Sequence, residues 1–340
     1  MAQSDPLIIH RKLVVAPMME LTDRHYRYLA RRLTHNTLLY TEMLTAKAVI
    51  HGDREYLLGF DEIESPCVLQ LGGSDPFEMA AASKIGERWG YDEININCGC
   101  PSDRVQSGRF GACLMAEPET VAACVGAMQD AVAVPVSVKC RLGIDRDDSY
   151  EVLHNFVREV SQSGCKHFIV HARKAWLDGL SPKENRTVPP LRYEYVYRLK
   201  QEMPDCHICI NGGIDHWPAV QEHLQHVDGV MLGRKAYHDP SFLQQADHLL
   251  FGAEALTAEQ LLQQRIDAAR AYARYVQQWH EKGVKVSTLT RHLIALFVQV
   301  PGARRWRQHL SENAPKCTDA IALVEEALVH VTQAPESKTA

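Results

Sequence analysis

What most constrains this chain is a recurrence. Eight short runs rich in β-branched and apolar residues follow one another through the first 236 residues. They are "LVVAPMM" (13–19), "LLYTEML" (38–44), "CVLQLGG" (67–73), "EININCG" (93–99), "PVSVKCRLG" (135–143), "HFIVHAR" (167–173), "HICINGG" (207–213) and "GVMLGR" (229–234). Helix-like stretches lie between most of them, such as "DPFEMAAASKIGERWG" (75–90) and "SYEVLHNFVREVSQSG" (149–164). A spacing of about 25–35 residues is that of a strand with its crossover helix, which pairs strands in parallel. The fold class is α/β, and eight such units predict a closed (β/α)8 TIM barrel. A doubly wound open sheet is the alternative, but no GxGxxG follows the first run.

The remainder changes character. "TAEQLLQQRIDAARAYARYVQQW" (257–279) puts Leu262, Ile266, Ala269, Ala273 and Val276 on one helical face, with Thr257 and Gln260 as a capping box. "STLTRHLIALFVQV" (287–300) and "TDAIALVEEALVHVTQ" (318–333) read as two further helices. The expected organisation is a barrel over 1–248, a small all-helical domain over 249–333 and a flexible tail, "APESKTA", over 334–340. With 46% hydrophobic residues in 340, the chain can bury a large core. No apolar run approaches the roughly 18 residues of a membrane span, and the start "MAQSDPLIIHRKLVV" lacks the pattern of a signal peptide. Ten cysteines without framework spacing fit free thiols in a reducing cytoplasm.

Each run begins apolar and ends in chemically loaded residues: Pro17-Met18, Glu42, Gln70, Asn97, Lys139, His171, Asn211 and Gly233-Arg234. Barrel active sites lie at the carboxyl ends of the strands. Gly212 and Gly213 in "INGGI", with Gly233 and Arg234 in "LGRKAY", follow the seventh and eighth runs, where barrels bind phosphate on exposed N–H groups. Lys139 and Arg141 share one face of their strand, as do His171 and Arg173. Two cations inside a barrel mouth call for an anion. Lys139 is suited to a Schiff base, to a phosphate or to the negative charge of a reduced flavin. Gln70 offers a donor and an acceptor to a planar heterocycle.

Two cysteines, Cys98 and Cys100, stand beside Asn95 and Asn97 where the fourth run ends. Zinc wants four ligands in paired clusters, and no second cluster is near, so no metal is expected. A disulfide between residues two apart is strained. Strand parity sends Asn95 and Asn97 inward and Cys98 to the helix side, as packing. Parity ends at Gly99 and leaves Cys100 at the mouth as the reactive candidate.

These motifs together resemble the tRNA-dihydrouridine synthases. The resemblance rests on "APM" (16–18), "LQLGG" (69–73), "NCGCPSDRVQSGRFGACLM" (97–115), "VKCRLG", "HARKAWLDGLSPKENR", "INGGI" and "GRKAY". The "ARKAWLDGLSPKENR" loop and "PGARRWRQHLSENA" (301–314) are similar to the bacterial A subfamily. The resemblance implies an FMN-containing barrel that uses NADPH to reduce uridines in the tRNA D-loop, at positions 20 and 20a, and a monomer. It implies that Pro17, Met18, Met19, Gln70, Lys139, His171, Asn211, Gly212, Gly213, Gly233 and Arg234 hold FMN. Cys100 would be catalytic and Asn97 would touch the uridine. Hydride would pass from flavin to uracil C6 and a proton from Cys100 to C5, consistent with a free cysteine's pKa of about 8.5.

A net charge of −5 hides an uneven distribution. Arg173, Lys174, Lys183 and Arg186 lie in the loop after the sixth run, and Arg291, Arg304, Arg305 and Arg307 in the helical region. The resemblance implies tRNA contacts at Lys183, Arg186, Arg304 and Arg307, with Arg141 and Arg173 also on the substrate side. The rival readings are an FMN barrel acting on a free dihydropyrimidine or dihydroorotate, a Schiff-base aldolase using Lys139, and a non-enzymatic RNA-binding barrel.

Overall fold

The computed structural model of the protein describes residues 7–102 and 108–333. The expected flexible tail, 334–340, and five residues of the long glycine- and cysteine-containing motif, 103–107, lie outside the described residues. Eight parallel strands close into one barrel in sequence order: β1 (Leu13–Val15), β2 (Leu38–Thr45), β3 (Cys67–Gly72), β4 (Glu93–Cys98), β5 (Val136–Arg141), β6 (His167–His171), β7 (His207–Asn211) and β8 (Gly229–Leu232). The fold is the (β/α)8 TIM barrel that the eightfold recurrence predicts.

β2 runs one residue beyond its expected run, to Thr45, while the other seven runs contain their strands and extend past their ends. In β1 the reason is chemical. Ala16 N–H still donates to Leu232 O at 2.8 Å, but Pro17 has no N–H to continue the ladder. β2 carries a bulge between Tyr40 and Met43. The irregularity turns the Thr41 hydroxyl toward β3, where it accepts from Gln70 N–H at 3.0 Å.

Period-two alternation divides every strand between an outer apolar face and the barrel interior. The interior is itself divided. Val14, Leu38, Tyr40, Val68, Ile169, Cys209 and Met231 form an apolar cluster on one side. Glu93, Asn95, Asn97 and Ser137, all buried, line β4 and β5 on the other. Outside, the helix Pro76–Arg88 starts on Asp75, whose carboxylate accepts from the N–H groups of Phe77 and Glu78, with proline at the first position.

The chain divides into two compact units, residues up to Asp23 with Thr37–Gly233, and Arg24–Asn36 with Arg234 onward. In the second, the helix Ala258–Glu281 begins with the expected Thr257–Gln260 capping box and packs on Ala320–Thr332, which also packs on Ala303–Asn313. The helix expected over 287–300 needs correction. Helix holds over Val286–Thr290 and a 3-10 turn over Arg291–Leu293, followed by single i-to-i+3 bonds at Leu296, Val298 and Val300. The indole of Trp306, fully buried, donates to Leu293 O at 2.9 Å and packs edge-on against Phe297. Leu293 O accepts from Leu296 N–H as well, an i-to-i+3 bond in place of the helical i-to-i+4.

Candidate active site

Parity brings Lys139, Arg141 and His171 to the interior face at the carboxyl end of the barrel, and register makes Arg141 and His171, then His171 and Asn211, cross-strand neighbours. The Lys139 ammonium has no hydrogen bond or ion pair among the described residues. Burial first, and the nearby guanidinium of Arg141 second, pull its pKa from 10.5 down to about 8. The His171 ring likewise has no hydrogen-bond partner among the described residues. Burial and the same cations hold it well below its ordinary value, so its imidazole is neutral at pH 7. Asn211 Nδ2 donates to Met231 O at 2.8 Å.

The glycines give this mouth its open backbone. Gly212 and Gly213 have φ values of +121° and +71°, and a Cβ at Gly212 would sit 2.8 Å from the His171 ring. A Cβ at Gly233 would meet only Met18 Sδ, at 3.9 Å. Met18 is half-buried and its N–H donates to Thr22 Oγ1 at 2.9 Å, while Met19 is exposed and Pro17 half-buried. An ammonium and a neutral imidazole, both without partners among the described residues, and glycine backbone with room beside it fit a planar, anionic cofactor such as FMN. Arg234, exposed, opens the short helix Arg234–His238 of the second unit.

Cys98 is fully buried and its thiol is pushed well above its ordinary value by burial, as packing requires. Cys100 is half-buried, with Sγ 3.5 Å from Ser102 Oγ. Its turn is set by Asn97, whose Oδ1 accepts from both Gly99 N–H at 3.0 Å and Cys100 N–H at 2.9 Å. Asn97 Nδ2 donates to Gln70 Oε1 at 2.8 Å, and Gln70 Nε2 to Asn95 Oδ1 at 2.8 Å. Gln70 therefore lies within the barrel, one register row below Asn97, and both ends of its amide are engaged.

Arg141 is 3% exposed and its guanidinium holds three main-chain oxygens: Gly99 at 2.8 Å, Lys174 at 3.0 Å and Asn185 at 3.0 Å. Burial lowers its pKa to about 10, which leaves it charged at neutral pH. It ties the Cys100 turn to the loop after β6. That loop is built on Asn185, fully buried, which accepts from Trp176 N–H at 2.7 Å and donates to Trp176 O at 2.9 Å and Leu180 O at 3.1 Å. Arg173 folds back onto Pro189 O of the same loop. Lys174 pairs with Asp148 at 3.1 Å. Lys183 and Arg186 flank Asn185 and are exposed.

In the second unit, Ala303, Trp306 and Leu310 bury one face of the helix Ala303–Asn313. Arg304, Arg305 and Arg307 project from the rest of it, exposed and without ion pairs among the described residues. Sequence reasoning misses Glu93, Ser137 and Asn185. Glu93 and Ser137 share the parity of two residues it does place inward, Asn97 and Lys139, and that parity is the available signal. Asn185 carries no pattern of its own.

The sequence matches the family model of the dihydrouridine synthases over residues 14–332. It is 55% identical to the tRNA-dihydrouridine(20/20a) synthase of Xanthomonas campestris pv. campestris over 93% of this chain and 92% of that one. It is 52% identical to the synthase of the same name from Yersinia pestis, over 95% and 92%. Among solved structures the fold is similar to an old yellow enzyme homologue from Zymomonas mobilis, with a TM-score of 0.52 and 12% identity over 74% of this chain and 92% of that one. It is also similar to a 2-naphthoyl-CoA reductase in complex with 2-naphthoyl-CoA, with a TM-score of 0.54 and 10% identity. That match covers 70% of this chain and 50% of the reductase, so this chain spans about half the reductase's length.

Proposed function

Because this chain belongs to the dihydrouridine synthase family, we propose that it reduces uridine to 5,6-dihydrouridine in the D-loop of tRNA, at positions 20 and 20a, with FMN as cofactor and NADPH as reductant. The observation that carries this reading is the pair Lys139 and His171, two polar groups without partners among the described residues, in the same barrel mouth as the fixed turn of Cys100.

Lys139 and His171 hold the polar part of FMN, with Gln70 and Asn211 behind them. The N–H groups of Gly212, Gly213 and Gly233, with Arg234 next in the chain, hold its phosphate, and Pro17, Met18 and Met19 cover the ring. When bound, FMN supplies the hydride that reaches uracil C6. Cys100 gives its Sγ proton to C5, which completes the addition of two hydrogens across the double bond, and the thiolate then regains a proton from solvent. Asn97 keeps one Nδ2 hydrogen uncommitted among the described residues, available to a uracil carbonyl.

The uridine must leave its stack to enter a barrel mouth. Lys183 and Arg186 on one loop and Arg304 and Arg307 on one helix supply phosphate contacts, and Arg141 braces the loop. The exposed cations of the helix Ala303–Asn313 favour tRNA over a free dihydropyrimidine or dihydroorotate. The ten free thiols suit the cytoplasm.

The test is a visible spectrum of the purified protein with identification of the chromophore released on denaturation, followed by reoxidation of the reduced protein. Released FMN and reoxidation by unmodified tRNA support the proposal. Reoxidation by a free pyrimidine and not by tRNA gives the small-molecule reading instead. A colourless protein that takes up no FMN refutes both.

A further inference from the structure

A single chain of hydrogen bonds descends the barrel from the Cys100 turn to its amino-terminal end. Asn97 accepts from the N–H groups of Gly99 and Cys100 and donates to Gln70. Gln70 donates to Asn95, and Asn95 Nδ2 donates to Ser137 Oγ at 2.8 Å. The Ser137 hydroxyl donates to Glu93, whose carboxylate is paired with Arg11 and accepts from Tyr40 Oη at 3.3 Å. Gln70, Asn95 and Ser137 occupy one register row across β3, β4 and β5.

The chain has one sense, and both ends enforce it. At the top, two backbone N–H groups can only donate, so Asn97 must present oxygen to them and its NH2 to Gln70. Gln70 must then present oxygen upward and NH2 downward, and Asn95 the same. At the bottom, the carboxylate of a buried ion pair can only accept, so the serine hydroxyl must point down. Turning any one amide over would set donor against donor on one side and acceptor against acceptor on the other, in a fully buried row where each mismatch costs most.

We propose that Glu93 is a positioning residue for Cys100: through Ser137, Asn95 and Gln70 it secures from below the facing of Asn97 that the two N–H groups demand from above, and Asn97 holds the backbone that carries the thiol. A charge at the far end of the barrel thereby reaches the proposed acid. The inference rests on the reading of Cys100 as the proton donor only for its effect on rate. Its structural claim stands by itself.

The experiment is Ser137→Ala, which cuts the chain between Asn95 and Glu93 and touches neither the Cys100 turn nor the mouth. The expected result is amide hydrogen exchange at Gly99 and Cys100 about 10-fold faster, with exchange elsewhere in β4 and β5 unchanged. The kcat for tRNA reduction falls about 10-fold at unchanged KM and unchanged flavin content, the signature of an interaction realised in the transition state and not in substrate binding. Ser137→Thr keeps the hydroxyl and restores both. Ser137→Cys, with a weaker donor, gives a smaller change in the same direction and serves if Ser137→Ala fails to fold. Unchanged exchange at Gly99 and Cys100, or an equal rise along all of β4, overturns the proposal. If exchange rises but Cys100→Ala leaves the reaction at its normal rate, the positioning chain stands and the role given to Cys100 falls.

Discussion

Arg141 donates from Nη1 to the main-chain oxygen of Asn185 at 3.0 Å, across 44 residues of sequence. The bond fastens a loop in which Asn185 is the buried polar side chain, with Ala175 and Pro189 also buried. Asn185→Ala removes that side chain's bonds to Trp176 and Leu180 and leaves main-chain groups without partners, at a local cost of about 2 kcal/mol. The loop over 174–190 then exchanges its amides roughly 30-fold faster. The KM for tRNA rises because Lys183 and Arg186 lose their fixed places, while flavin content is unchanged. Hydrogen exchange and steady-state kinetics measure the two effects.

In the proposed reaction, Cys100→Ala removes the proton for C5. Reoxidation of the reduced flavin by tRNA falls by about 10²- to 10⁴-fold, and reduction of the flavin by NADPH proceeds at its normal rate. Stopped-flow absorbance separates the two half-reactions. A variant that reduces tRNA at the wild-type rate removes Cys100 from the mechanism.

Lys139 makes stability and flavin affinity depend on pH in opposite senses. Its pKa falls from 10.5 to about 8 on folding, so the unfolded chain holds the extra proton between those values and stability of the apoprotein rises with pH across that window. Below pH 8 the buried charge costs the fold up to about 3 kcal/mol. Lys139→Met is therefore more stable than wild type as apoprotein at pH 7, and the difference closes toward pH 10.5. The same variant loses the cation for an anionic cofactor and binds FMN more weakly, most of all below pH 8. Calorimetry of the apoprotein and fluorescence titration with FMN give both curves.

Gly233→Ala tests the cradle directly. The protein leaves room for the added Cβ, with nothing nearer than Met18 Sδ at 3.9 Å, so the melting temperature of the apoprotein stays where it is. FMN affinity drops by about 10-fold, because the methyl group takes the room through which the cofactor approaches the backbone. Unchanged affinity moves the phosphate away from Gly233.

Arg304 and Arg307 stand exposed on one helix with no ion pairs among the described residues. Replacing both by alanine weakens tRNA binding and lowers the slope of log K against log salt by about 0.7–0.9 for each phosphate no longer neutralised. Filter binding across a salt series reads it. A slope equal to wild type means that neither arginine meets a phosphate.

Strand parity makes much of this site legible in the sequence. The alternation in "EININC" is enough to send Asn95 and Asn97 inward, and "VSVKCR" does the same for Lys139 and Arg141. Cross-strand partnership is not legible, because it depends on register. Nothing local says that Ser137 meets Asn95 and not a neighbour one row away, and the bulge in β2 that brings Thr41 to Gln70 has no signature in "LLYTEML". Parity can place Glu93 inward, but its partner Arg11 lies 82 residues earlier, and nothing local pairs the two. The helix expected over 287–300 gives way to 3-10 and single-turn bonds after Thr290, and the ring that packs on this stretch, Trp306 against Phe297, comes from outside the window.

The one-way order of Asn97, Gln70, Asn95, Ser137 and Glu93 also limits how this barrel can change over generations. A single substitution in the middle strands the groups on either side of it, so drift toward another solution passes through a mismatched ancestor. Descendants are expected to keep the five together or to have exchanged several at once, and homologues set side by side would display these positions as a linked block whose members vary in concert.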